Sequence, residues 1–554
     1  MKCLLSLLVL ALVAVVPARA ETVVVSNLNA SGTGSLRAAI SSARDGDTIQ
    51  FSKNGTIALL RHPLVIDKDL TIVGPGPDKL TLSGKGERRV LEVRAGSDVL
   101  ITNVTFANGV AETGGGIYNQ GTLRLRSVVV TQNASKADGG GVYNDRGTLT
   151  LTNSTVSLNE ARRSNASGGG VVNFEGVLNV LDNSVISDNL AHREGGGVYN
   201  LRGDVVVDNS TISNNSTGQD GGGIFTIGGL SVKDSFLLEN TSEGGGAVAN
   251  LGLTPVSLSG TRVAGNTVAG LGGALLNNAN GPVSVDNVTF VGNVSTQGNG
   301  GAVANIVGKV TINDSTFTDN SARHEGGTLF NQSVLTLANV IVMGSTAEQG
   351  GAVRNLGQLT LVNSTLSNNA ASLNGGALSS AGFATTTIDN STFSNNSSEG
   401  NGGSLSNLGE GTMRVESSTV TDSSALNGGG IWNVGTLSVR NGEISNNVAR
   451  RGGGGIFNQG RLELESSSVT ANTAQVDGGG IWNDGSLTFR DSQLENNETV
   501  DGLFGGGAGI WNALGGELTL TQTNCVDNVV KGNTVDVFNN GGKLNNATAC
   551  VVRV

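Results

Sequence analysis

The chain has 554 residues, of which 85 are glycine, only 6 are proline and 14% are charged. So low a charged fraction argues against a disordered acidic chain, and 45 acidic against 34 basic residues exclude a nucleic-acid binder that works by bulk electrostatics. Abundant glycine with almost no proline suits many tight turns joining strands that must donate every backbone N–H.

Residues 1–20 have a short basic start, an apolar core from Leu4 to Val16 and a small-x-small end, Ala18-Arg19-Ala20. This is the pattern of a secretory signal cleaved after Ala20, since the apolar stretch is too short for a membrane span. Cleavage takes away Lys2 and Arg19 and leaves 32 basic against 45 acidic residues. Residues 21–105 form a separate module. ETVVVSNLN reads as a strand, and GSLRAAISSARDGD as a short helix carrying Leu36, Ile40 and Ala43 on one face. Such a helix suits the open end of a solenoid, whose terminal coil would otherwise expose core and unpaired strand edges. DTIQF, GTIAL, PLVID, LTIVGPG and KLTLSG follow as the strands of irregular first coils.

From residue 106 to 554 the sequence repeats. GGGIYN at 114–119 returns as GGGVYN, GGGVVN, GGAVRN, GGGIWN and similar segments. Its last residue marks the phase at sixteen positions: Asn119, Asn144, Asn173, Asn200, Thr226, Asn250, Asn277, Asn305, Asn331, Asn355, Ser380, Asn407, Asn433, Asn458, Asn483 and Asn512. The spacing is about 26 residues, a solenoid period. Between marks lie short runs of β-branched and apolar residues alternating with Ser, Thr and Asn, as in GGGVYNDRGTLTLTNSTVSLN, with no stretch of helical periodicity. Three strands per turn and an all-β, right-handed parallel β-helix of the pectate-lyase-like type are the expected architecture, with a short N-terminal capping helix.

Ser35, Leu36, Arg37, Ala39 and Ile40, followed by Gly46 to Ile49 and Phe51, resemble the start of bacterial exported proteins with a CSLREA-type segment, although Gly34 stands where that family usually has its Cys. The repeats are similar to those of polymorphic outer-membrane proteins, which combine GGA[ILV] with FxxN; here GGAL and GGAV occur at 272–275 and 350–353, and FxxN at Phe290 to Asn293 and Phe317 to Asn320. The resemblance implies export and a role at the cell surface. Those relatives end in a membrane barrel, whereas Ala513 to Val554 are too few for eight membrane strands of about ten residues each.

Four columns of side chains should run along the rod. The aliphatic column, with Ile117, Val142 and Ile481, is core. The Asn column is joined by a second one through Asn133, Asn159, Asn189 and onward to Asn528, and stacked amides can bond from coil to coil. Asn-x-Ser/Thr sites such as Asn153-Ser154-Thr155 read as by-products of the repeat. Tyr118, Tyr143, Tyr199, Trp432, Trp482 and Trp511 each follow an inward aliphatic residue, so alternation turns them outward. As exposed aromatics, they would bind sugar rings or stack on one another.

The fourth column precedes each glycine run and holds Asp138, Glu194, Asp220, Glu243, Glu325 and Asp477, with Arg162, Arg163, Arg193, Arg323, Arg450, Arg451, His192 and His324 beside them. It also takes the insertions at 160–167 and 501–504. Arg193, Glu194, Asp220 and Glu243 are the weak catalytic candidates, because carboxylates on successive coils could hold Ca²⁺ beside an arginine, as a polysaccharide lyase acting on a uronate needs. Solvated turn charges are the plainer reading, and otherwise no cofactor is expected. GxSxG, HExxH and zinc-type Cys/His spacings are absent. Cys525 and Cys550 lie one coil apart and should form a disulfide that locks the last coil. Together these features point to an exported monomer, secreted or at the cell surface, that binds a polysaccharide or another envelope component and not nucleic acid. A lyase or glycoside hydrolase is the alternative, and a structural spacer the third reading.

Overall fold

A computed structural model describes residues 20–502, 506–545, 550 and 552–553; the signal sequence, apart from Ala20, and Leu503 and Phe504 of the 501–504 insertion lie outside them. The described residues form an all-β, right-handed parallel β-solenoid with one helix among them. Each regular coil carries four strands rather than the three expected. In one coil these are Val142–Asp145, Thr148–Thr152, Thr155–Ser157 and Glu160–Ala161, and we number their sheets 1 to 4 in that order. Sheet 2 contains 21 strands, so the rod is roughly 100 Å long at about 4.8 Å per coil. The fourth strand has only two residues, too few for alternation to show in the sequence.

Strand alternation sends Val142, Leu149, Leu151 and Val156 into one continuous core, where each is buried. The corners are set by backbone chemistry. Asn153 (φ 47°) and Leu158 (φ 55°) adopt the left-handed conformation on either side of the sheet 3 strand, and the first of these corners is Asn or Asp in many other coils. The turn into sheet 1 needs glycine for two reasons. Gly139 has φ 72°, and a methyl group on Gly140 would sit 2.5 Å from the carbonyl oxygen of Gly169 in the next coil.

Two amide ladders fix the register at the remaining corners. Asn119 Nδ2 donates to Asn144 Oδ1 at 2.7 Å, Asn144 to Asn173 at 2.8 Å and Asn173 to Asn200 at 2.9 Å. In the second ladder Asn133 Nδ2 donates to Asn159 Oδ1 at 3.0 Å, and that oxygen also accepts the backbone N–H of Asn133 at 3.0 Å. A third ladder is made of serines. Ser154 Oγ accepts from Val128 N at 3.1 Å and donates to Thr152 O at 2.9 Å, and Ser184 and Ser235 are used in the same way. In Asn153-Ser154-Thr155 the first residue therefore makes the left-handed corner and the second satisfies buried backbone.

Helix α1 (Leu36–Ser42) covers the first coil with Leu36, Ala39 and Ile40 buried, and Ser35 Oγ caps it by accepting from Ala38 N at 3.3 Å. Arg37 ties the helix down by donating to the carbonyls of Pro63 at 2.9 Å and His62 at 2.6 Å. Asp47 accepts the backbone N–H groups of Arg44 and Glu21, each at 2.8 Å, which holds its carboxyl below the usual range. At the other end Val537–Asn539 adds a further rung to sheet 1 that no glycine run announces, and Asn512 Nδ2 donates to Asn539 Oδ1 at 2.8 Å. A disulfide joins Cys525 and Cys550, whose Cα atoms are 5.2 Å apart.

Candidate functional site

The outward column of sheet 1 runs in register from Tyr118 through Tyr143, Val172, Tyr199 and Phe225 to Trp482 and Trp511. It points away from the core but is not exposed. Tyr118, Tyr143, Tyr199, Trp432 and Trp482 are half-buried, and Trp511 is buried. Arg354, Ser379 and Ser406 of the same column are buried as well. The cause is the turn before each glycine run, which doubles back across this face: a methyl group on Gly195 would sit 2.8 Å from the Cα of Tyr199, and Leu271 of that turn packs on Leu276, Ala304 and Phe330.

The rings stack along the rod axis. Phe457 and Trp482 have centroids 4.0 Å apart, Trp482 and Trp511 5.3 Å, and Tyr118 and Tyr143 5.7 Å. Both faces of Trp482 are thus occupied by its neighbours, which leaves ring edges, not faces, for any ligand. Tyr118 is also held from outside: its hydroxyl donates to Asp145 Oδ2 at 2.6 Å, and the Arg89 guanidinium lies 4.7 Å from its ring centroid.

The catalytic candidates are gathered only in part. Arg193 pairs with Glu194 at 3.4 Å, and Glu194 is buried beside Tyr199. Burial pushes the carboxyls of Glu194, Asp138 and Asp220 above their ordinary values, and it pushes the phenols of Tyr143 and Tyr199 up to about 12. Asp138 accepts the Ser167 N–H at 2.8 Å. Glu243 is exposed and reaches Asp220 only through its charge. Among the described residues no three acidic, His or Cys side chains converge to hold a metal ion, so the arrangement drawn for Ca²⁺ at Glu194, Asp220 and Glu243 is not formed. A phenol that keeps its proton to about pH 12 is a poor base at neutral pH.

Three other charged turn residues have structural partners. Glu325 reaches the buried guanidinium of Arg354 at 3.2 Å, His324 Nδ1 lies 3.0 Å from Glu348, and Arg163 pairs with Glu112 across two coils.

Sequence reasoning missed a groove on sheet 4. Thr346, Ala370, Ser397, Ser424 and Val448 are successive rungs of that sheet, and their outer faces floor a furrow of about 500 Å³ parallel to the rod axis. Four coil spacings give it a length of roughly 19 Å. Arg450 crosses its edge, donating to the Glu399 carbonyl at 2.7 Å. The floor is hydroxyl and methyl, with Glu399 as the one carboxylate and Arg450 as the one guanidinium in its lining. Small residues carry no sequence signal for a site; only the stacking of coils makes them a surface.

No protein-family profile matches the chain, and no curated protein does. Among solved structures the chain is similar to an alginate lyase of the PL6 family, AlyGC, at 11% identity with a TM-score of 0.26, over 95% of this chain and 100% of the other. Among the described residues no helix is long and apolar enough to cross a membrane.

Proposed function

We propose that this chain is an exported β-solenoid of the cell surface or surroundings that binds an extended glycan of a cell envelope, without cleaving it. The observation that carries the reading is the axial furrow on sheet 4, straight over five coils and floored by Thr346, Ala370, Ser397, Ser424 and Val448. A polymer lying along the axis meets small side chains on successive coils, with hydroxyls from Thr346, Ser372, Ser397 and Ser424, so contacts that are weak one at a time add along its length. The signal-like residues 1–20 and the resemblance of the repeats to polymorphic outer-membrane proteins support export and a surface role. Cleavage needs an acid and a base at the bound polymer, and the furrow's lining offers a single carboxylate.

The test uses the full mature chain with a panel of acidic and neutral polysaccharides, following complex formation and polymer size by gel filtration. Co-elution with unchanged polymer size, lost in Ser397→Trp, is the expected result. Unchanged co-elution in Ser397→Trp would remove the furrow from the account. Shortening of a polymer that is lost in Arg193→Ala or Glu194→Ala would replace the binder with an enzyme working at the charged turn.

A further inference from the structure

In three coils beside the furrow, the residue before the glycine run builds its own small ladder. Asn401 Nδ2 donates to Asn374 Oδ1 at 3.3 Å, and Asn427 Nδ2 donates to Asn401 Oδ1 at 2.9 Å. The next rung is Gly452, and the one after it is Asp477, paired with Gly452 in parallel register. Glycine has no amide to continue the ladder, and its place is a slot of about 270 Å³ between Asn427 and Asp477, walled by Phe457 and Trp482. The backbones of Asn427 and Asp477 are two coils apart, roughly 10 Å.

The slot is lined by two acceptor-bearing side chains, Asn427 and Asp477, and by one cation, Arg451, which is exposed. Asn427 uses one Nδ2 hydrogen on Asn401, and the direction of that ladder turns its carbonyl oxygen toward the next rung. Asp477 is only 4% exposed, and its Oδ1 is buried with no hydrogen-bond partner. No other ionised group offsets that burial, which alone pushes the carboxyl up to about 6. A buried carboxylate left unpaired is costly, and a ligand that brings both positive charge and several N–H donors recovers most of that cost. An ammonium group brings three donors and a charge in a small volume, whereas a hydroxyl brings one donor and none.

We infer that the missing rung at Gly452 is a binding site for a ligand ammonium, the amine of an amino sugar, seated against Asp477 and Asn427. The sugar, though not the ammonium, rests on the glycan-binding reading: Arg450 edges the furrow and Arg451 borders the slot, so a glycan lying in the furrow passes one residue from it. The stacked rings act as walls and not as a platform, because Trp482 is covered by Phe457 on one side and Trp511 on the other.

The experiment is calorimetric titration of the mature chain with a glucosamine oligosaccharide, its fully N-acetylated counterpart and a lysine oligopeptide. The amine-bearing sugar should bind at least about tenfold more tightly than the acetylated one, a charge-assisted contact's worth of discrimination. Asp477→Asn, which keeps size and shape, should erase that preference. Gly452→Asn should erase it too by restoring the rung: residue 452 lacks a left-handed φ, and a Cβ there meets Trp482 Cδ1 at 3.2 Å and the Asp477 carbonyl at 3.3 Å, a fit that needs shifts of a few tenths of an ångström. Thermal melts of both variants establish that they fold. Equal affinity for the two sugars, or a preference that survives both variants, would overturn the site. A lysine peptide bound as tightly as the amine-bearing sugar would overturn its assignment to a glycan. Failure of the furrow reading is separate, since it would show as undiminished binding in Ser397→Trp.

Discussion

The outward column of sheet 1 solves one structural problem in two chemical ways. Between Tyr118 and Phe225 its rings are mostly phenols surrounded by carboxylates: Tyr118 donates to Asp145, and Asp138 and Glu194 face Tyr143 and Tyr199. Between Trp432 and Trp511 the same positions hold indoles and a phenyl, and the turn carboxylate beside Trp482, Asp477, has an unpartnered oxygen. Beneath both stretches the Asn ladder is the same, with Asn119 bonding Asn144 at 2.7 Å and Asn458 bonding Asn483 at 2.8 Å. In a solenoid each coil touches only its neighbours, so the inner ladder can stay constant while the outer layer changes from one segment to the next.

If the inner ladder is common to both stretches, removing a rung should cost the same in either. Asn144→Ala and Asn458→Ala each strand a buried amide of the rung before and two buried carbonyls, and each should lose about 3 kcal/mol in urea unfolding. A loss in one stretch more than twice that in the other would break the comparison at its base.

The outer layer should then separate the stretches. Trp482→Ala removes stacking on both Phe457 and Trp511 and should cost about 2–3 kcal/mol, less than a fully buried aromatic because Trp482 is half-buried. Tyr118→Phe keeps the ring and its stacking on Tyr143 but loses the bond to Asp145, for about 1 kcal/mol. No loss in Tyr118→Phe would mean that the tyrosines work through their rings alone.

The difference between the stretches was half legible in the sequence. Tyr and Trp stand at fixed phase after each glycine run, and the alternation that turns them outward holds. Their exposure did not follow, because it depends on a turn folding back across sheet 1, and alternation along a strand says nothing about what crosses its far side. Leu271 against Leu276 and Phe330 is the clearest case. The same limit explains the other gaps. Ser154 looks like any polar residue beside a strand until the coil below supplies Val128 N, and the furrow exists only where Ala370, Ser397 and Ser424 fall on adjacent rungs. Asp477 has the sequence setting of a solvated turn charge, yet the ring of Trp482 and the turn itself bury it. What the spacing did carry was the period, the core column and both Asn ladders.

The pH dependence sharpens the comparison most finely. Asp145, with Tyr118, Gln120 and Arg146 around it, has its carboxyl lowered against the pull of burial, so its contribution is present above the unfolded carboxylate range and lost as pH falls through the folded value. Asp477 has the opposite sign. Its carboxyl is raised to about 6, so it contributes stability below the unfolded value near 4 that is lost as pH rises through about 6. Asp477→Asn should therefore stabilise the Trp stretch at pH 7.5 by about 1–2 kcal/mol, the unpaired charge being gone, and change little at pH 4.5. Asp145→Asn should do the reverse, costing about 1 kcal/mol at pH 7.5 and little below pH 3. Hydrogen exchange followed coil by coil at the two pH values reads each effect in its own stretch. Protection near Trp482 that fell in Asp477→Asn at pH 7.5 would mean that the carboxylate is paired in solution, and the slot at Gly452 would then have no charge to offer a ligand.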